Sequence, residues 1–292
     1  MSIAVTPSRD PLRAQLHQMW SGVAGAWAAH LTYIDSRGAH VTERMLDLTR
    51  PRPGERVLEL ACGTGGPGLD AAPLVAPGGE VVISDFSSEM TAIAAGQALD
   101  RGLLNVSARV LDLEYIDEPD SSFDVVLCRE GLMLVPDPAA AAREIRRILR
   151  PGGRAAITVW GPRERNPWLS VVFDAVSEQL GVPTPPPGIP HPFSLSDADQ
   201  LGAVLAGAGL AHVQVGELSV PYHAASVDEW WERTAALAGP LAQRLAALPD
   251  DAARALKQRA AERIGAYRTP TGLEIPGVCL IATAVSPAAG AR

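Results

Sequence analysis

Short apolar runs of strand length alternate with stretches of helical spacing through most of the chain. "RVLEL" (56–60), "EVVISD" (80–85), "VSARVLD" (106–112), "FDVVLCR" (123–129) and "RAAITVW" (154–160) are short, β-branched and mostly bounded by turn residues, which predicts five strands. Between them, "GLDAAPLVA", "SSEMTAIAAGQALDRG" and "DPAAAAREIRRILRPGG" carry helical patterns. In the last of these Asp137 is placed to cap the N-terminus, Pro138 takes the first helical position, and arginines fill the final turns before "PGG". This alternation predicts an α/β fold, a doubly wound and mostly parallel sheet with right-handed crossovers. Such sheets bind ligands beyond the carboxyl ends of their strands, so Glu59 to Gly65, Asp85, Asp112 and Cys128 to Glu130 should line one edge.

The flanks depart from that rhythm. Residues 1–50 read as an N-terminal helical cap, most clearly over "PLRAQLHQMWSGVAGAWAAHLTYIDSR" and "VTERMLDLTR". Residues 51–292 read as one domain with covering insertions at about 162–195 and 224–270. "GVPTPPPGIPHPF" (181–193) is too proline-rich for a helix or a central strand and predicts a loop. A helix at "SDADQLGAVLAGAG" and a strand at "HVQVGELSV" follow; residues 226–267 then read as helical with a proline break, and "GVCLIATAV" as a final strand.

Composition narrows the function classes. At 292 residues and 47% hydrophobic, the chain can bury one sizeable core. A net charge of -8 and a pI near 5.3 leave no field for a phosphodiester backbone, so nucleic acid is not an expected partner. No segment approaches the roughly 20 apolar residues of a membrane span. The start of the chain has no long apolar core, so the expected location is cytoplasmic, away from any membrane. Cys62, Cys128 and Cys279 are widely separated and lack metal-ligand spacing, which predicts buried free thiols and no metal site.

The candidate chemistry lies in "VLELACGTGGPGLDAA" (57–72). Gly63-x-Gly65-x-x-Gly68 has the spacing of a dinucleotide-binding turn, with the second-strand acid Asp85 for a ribose. A nicotinamide-dependent oxidoreductase is therefore one reading. Against it, Glu59 would set a carboxylate beside a pyrophosphate, and Pro67 removes an amide that such an anion would use. S-adenosylmethionine has the opposite needs. Its ammonium wants a carboxylate such as Glu59, and its methionyl tail can lie against the turn from Ala61 to Gly65, where glycine removes the Cβ. Asp112 can accept from an adenine amino group, with Leu113 against the ring.

"VLELACGTG", "VVISDFSSEM", "VLDLEYID", "SFDVVLCREGLMLVPDP" and "EIRRILRPGGRAAITVW", in this order, resemble the successive motifs of class I S-adenosylmethionine-dependent methyltransferases. The likeness is closest to the small-molecule branch that includes ubiquinone and menaquinone biosynthesis enzymes, and it is strong over residues 55–160. It implies a Rossmann-like, seven-stranded sheet whose seventh strand, "GVCLIATAV", is antiparallel. It also implies that Glu59, Gly63, Gly65, Asp85, Phe86, Met90, Asp112, Leu113 and Arg129 contact S-adenosylmethionine. "WSGVAGAWAAH" is similar to the family's aromatic-containing N-terminal helix, with Trp27 where a tyrosine is frequent.

Methyl transfer is an in-line displacement that depends mainly on positioning and exclusion of water. A base is required only for an acceptor of high pKa, and Glu130 and His191 are the candidates placed first. His30, Tyr33, Tyr222 and His223 are weaker ones, and one of Trp230 and Trp231 should be core while the other faces an acceptor or a second copy in a homodimer. The fourth-strand segment lacks the Asp-Asn pair of metal-dependent catechol enzymes and the D-P-P-Y of amino-methylating DNA enzymes. A small hydrophobic or aromatic acceptor, such as a phenol, a quinol or a natural-product intermediate, remains. The rival readings are the oxidoreductase and a non-methylating protein that retains the cofactor pocket.

Overall fold

A computed structural model describes residues 11–239, 241, 242, 245 and 247–288; the first ten residues of the expected cap, and parts of the expected covering segment, lie outside them. Seven strands form the main sheet: β1 (Arg56–Leu60), β2 (Glu80–Asp85), β3 (Val106–Val110), β4 (Phe123–Arg129), β5 (Leu149–Trp160), β6 (Ala211–Ser219) and β10 (Val278–Val285), in the order β3-β2-β1-β4-β5-β10-β6. Strands β1 to β5 pair in parallel, and β10 runs antiparallel to both β5 and β6. The order reverses between β1 and β4, which opens a crevice at their carboxyl ends.

Helices α3 (Pro67–Val75) and α4 (Ser88–Asp100) return the chain to β2 and β3, while α5 (Pro138–Ile148) returns it to β5. Right-handed crossovers on the two sides of the reversal put these helices on opposite faces. Local chemistry sets their ends: the Asp137 side chain accepts from Ala140 N, and Ser87 accepts from Met90 N. The core is the buried sheet, with Val57, Leu58, Val81, Val125, Val126 and Ile157 almost wholly enclosed.

The expected cap consists of α1 (Pro11–Ala29) and α2 (Leu31–Thr49). The break falls at His30, whose N–H reaches back to Trp27 O in a tightened turn, and not between Arg37 and Val41. β3 stops at Val110, two residues short of Asp112, because it is an edge strand whose pairing with β2 ends at Asp85. The sequence predicts a fifth strand from Arg154 after a helix that runs to "PGG", but α5 ends at Ile148 and β5 begins at Leu149, opposite Phe123 ahead of a register shift. A second sheet, with no sequence expectation, joins β7 (Tyr222–Ala224), β8 (Arg268–Thr269) and β9 (Gly272–Ile275) in the order β7-β9-β8; strands this short carry no readable period.

Around the carboxyl edge stand α6 (Pro167–Leu180), α8 (Val227–Leu237) and α9 (Asp250–Ile264), while α7 (Ala198–Gly207) packs on α5 and β6. Fully buried Asn166 anchors the start of α6: its Nδ2 donates to Val278 O and Gly161 O, and its Oδ1 accepts from Val278 N. No helix among the described residues is long and apolar enough to cross a membrane.

Candidate cofactor and acceptor site

The turn after β1 runs through left-handed backbone at Ala61 (φ 51°), Gly63 (φ 55°) and Gly65 (φ 121°) before Pro67 opens α3. Ala61 in that region stores strain, which fits a functional turn. Beneath it, Glu59 is 1% exposed and its Oε2 accepts from Gly68 N at 2.9 Å. A Cβ on Gly68 would lie 2.5 Å from Oε2, and one on Gly66 would collide with Oε1. The glycines therefore seat the protein's own carboxylate at the N-terminus of α3, the place a pyrophosphate would need. Glu59 still reaches the cavity floor, but its partner here is the helix terminus. Burial pushes its carboxyl up to about 8, against the pull of the Arg129 guanidinium.

Asp85, at the end of β2, is oriented by backbone donors: Gly63 N to Oδ2 at 3.0 Å and Ser87 N to Oδ1 at 2.9 Å. Burial raises its carboxyl above the usual range. Phe86 meets His17 of α1 edge-on, and Met90 packs with Val23 and Ala24. Asp112 differs from the expectation of an open acceptor for adenine. Its Oδ2 pairs with Arg13 Nη1 at 2.7 Å and its Oδ1 accepts from Glu114 N, while Arg13 Nη2 also reaches Glu114. Arg13 carries no local motif, so nothing in the sequence signals that α1 would reach the end of β3. Leu113 is buried beside it. Trp27 lies against the turn, its ring 3.5 Å from where a Gly63 Cβ would sit, and its buried Nε1 has no hydrogen-bond partner.

At the other end, Arg129 Nη1 donates to Thr42 Oγ1 of α2, and the guanidinium fills the space a Gly38 Cβ would take. Glu130 has φ 59° and is held by Glu130 N donating to Thr158 O. No ion pair with Arg129 forms. Burial raises its carboxyl, opposed by Arg129 and Arg37. His191 stands in the predicted proline-rich loop, where its Nδ1 accepts from Phe193 N at 3.1 Å. The neutral ring then carries its proton on Nε2, so His191 meets the cavity as a donor and not as the expected base. Burial and Arg163 lower its pKa and keep it neutral. Trp230 is core, as expected for one of the pair, with Nε1 donating to Trp168 O, and Trp231 does not line the cavity.

One cavity of about 670 Å³ brings together the expected cofactor contacts, from Trp27, Glu59 and Ala61 to Arg129, with Glu130, His191, Tyr33 and Tyr222, whereas His30 and His223, also weighed as bases, do not line it. Sequence reasoning missed Arg13 and Arg37 of the helical cap and Trp160 at the end of β5, which also line it. Among the described residues no cluster of side chains could hold a metal ion, and all three cysteines are buried free thiols.

Residues 57–153 match the model of a methyltransferase domain. Nocamycin O-methyltransferase of Saccharothrix syringae is 42% identical over 118 residues, 40% of this chain and 42% of that protein. A ubiquinone/menaquinone biosynthesis C-methyltransferase of Ectopseudomonas mendocina is 38% identical over 133 residues, 45% of this chain and 52% of that one. The chain thus spans about half the length of the curated relatives it matches. The YcgJ protein of Bacillus subtilis has the same fold, with a TM-score of 0.58 at 20% identity over 85% of this chain and 99% of that one. The acids, the glycine turn and the unpartnered Trp27 N–H thus line one cavity of a chain whose residues 57–153 match a methyltransferase domain and resemble the ubiquinone/menaquinone C-methyltransferases.

Proposed function

We propose that the protein transfers a methyl group to a small, hydrophobic or aromatic acceptor held between the sheet edge and helices α1, α2, α6 and α8. The observation that carries this reading is Glu59 seated at the N-terminus of α3. It closes the anion site a dinucleotide needs and leaves a carboxylate where an ammonium can dock. S-adenosylmethionine, when bound, would supply an electrophilic methyl on a sulfonium for an electron pair of the acceptor. Asp85, preoriented by the Gly63 and Ser87 amides, offers its oxygens to a ribose diol. Trp27 Nε1 is placed to donate to a carboxylate over the turn, and the Arg13 bridge fastens α1 across the adenosyl end. Glu130, raised by burial, takes the acceptor's proton where one must leave. The mechanism otherwise rests on holding the reactants in line and dry.

In the same reading the partners are small molecules, the acidic balance opposes nucleic acid, and the compartment is the cytoplasm. A homodimer is the assembly to test by sedimentation. The deciding experiment is isothermal titration with S-adenosylhomocysteine and, separately, NAD, on wild type, Asp85→Ala and Asp112→Ala. Micromolar-range binding of S-adenosylhomocysteine alone, weakened in both variants, is expected. Binding of NAD, or of neither ligand, sinks the reading; binding without methyl transfer to any of a broad panel of phenols, quinols and acids favours a non-methylating protein that keeps the pocket.

A further inference from the structure

Arg37 projects from α2 into the acceptor end of the cavity, and its surroundings are unusual for a cation. Its guanidinium carbon lies 4.0 Å from the centroid of the Trp168 ring, 4.7 Å from Trp160 and 5.0 Å from Tyr222. Nε and Nη2 are buried and have no hydrogen-bond partner. Among the described residues no carboxylate comes within ion-pairing distance of it. Three other arginines of the cavity have polar partners: Arg233 pairs with Glu229, Arg13 with Asp112 and Glu114, and Arg129 donates to Thr42. Glu130 is in electrostatic reach of Arg37 but forms no ion pair with it, and burial, which raises its carboxyl, weakens it as a counter-ion. A buried charge without a partner is costly, and proteins keep one where a ligand completes the pair.

We infer that the acceptor carries an oxyanion on a flat aromatic or conjugated frame, and that Arg37, walled by Trp160, Trp168 and Tyr222, is the residue that selects it. The guanidinium meets the anion while the rings take the frame, so charge and shape are read together. A neutral analogue of equal shape leaves the cation unpaired and binds more weakly. The inference rests on the methyl-transfer reading only in calling the occupant an acceptor.

Titration of the protein saturated with S-adenosylhomocysteine tests it with three probes: 2-naphthoate, the enolate of 2-hydroxy-1,4-naphthoquinone, and neutral 2-naphthamide. At least one anion should bind about tenfold or more tightly than the amide, the preferred one telling carboxylate from enolate. Arg37→Leu should abolish that preference while leaving S-adenosylhomocysteine affinity within about twofold, and should melt no lower than wild type because a buried charge is removed. Arg37→Lys, which keeps the charge but not the planar fork, should retain a reduced preference and covers the case of a leucine variant that does not fold. Equal binding of anions and amide, no binding of either anion, or a preference that survives Arg37→Leu overturns the inference. Loss of S-adenosylhomocysteine binding in wild type would instead strike the methyl-transfer reading and leave an anion preference, if found, standing.

Discussion

Glu59 makes cofactor affinity depend on pH in a way that can be worked out beforehand. Its carboxyl is pushed up to about 8 from an ordinary value of 4.5, because burial outweighs the Arg129 charge and the Gly68 amide. A carboxyl raised on folding holds its proton more tightly in the folded than in the unfolded chain. The cofactor-free protein therefore loses stability as pH rises from about 4.5 to about 8. An ammonium docked against the carboxylate favours the anion, so on the proposed reading each binding event below that window's upper end releases a proton. The limiting slope is about tenfold in affinity per pH unit, and between about pH 6.5 and about pH 7.5 the gain is about eightfold. Calorimetric titration with S-adenosylhomocysteine in two buffers of different ionisation enthalpy gives both the affinity and the protons released. Glu59→Gln keeps an acceptor for the Gly68 amide and cannot titrate; it should bind more weakly at about pH 8, show no such slope, and be the more stable free protein there. A flat profile in wild type, or the same slope in Glu59→Gln, refutes the reasoning, because Asp85 would then account for whatever titration remains.

Two further changes probe the same turn. Gly68→Ala brings a methyl to 2.5 Å from Glu59 Oε2 and 2.9 Å from Ile83 Cγ2. It should cost about 1–3 kcal/mol of stability in urea unfolding and weaken S-adenosylhomocysteine at least tenfold, whereas unchanged values would mean the carboxylate is not pinned as described. Trp27→Phe removes an N–H that is buried and unpartnered in the free protein. Free-protein stability should stay within about 1 kcal/mol while cofactor affinity drops about tenfold, as for a hydrogen bond to a charged group; affinity within twofold of wild type would show that the indole does not meet the cofactor.

Much of the frame was legible because it is locally encoded. Strands β1, β2 and β4 have the predicted bounds, and Asp137 caps α5 as its position before Pro138 suggests. The antiparallel last strand came from the family resemblance and not from spacing, since nothing in "GVCLIATAV" states a direction. The cofactor acids were legible as types at strand ends, but their hydrogen bonds were not. Asp112 looked open, and it is bridged by an arginine 99 residues away. His191 looked like a base until the Phe193 amide took its Nδ1.

By itself, then, the sequence determined the strand and helix order, the glycine turn, and an acid at each of three strand ends, because period, caps and backbone freedom act over a few contiguous residues. Tertiary structure alone decided what those acids face. The seating of Glu59 on α3 depends on close approach at Gly66 and Gly68, and the ring cage of Arg37 assembles α2, β5, α6 and β7. Such contacts join segments far apart in the chain, and their energies come from burial and charge pairing that exist only once the segments have packed.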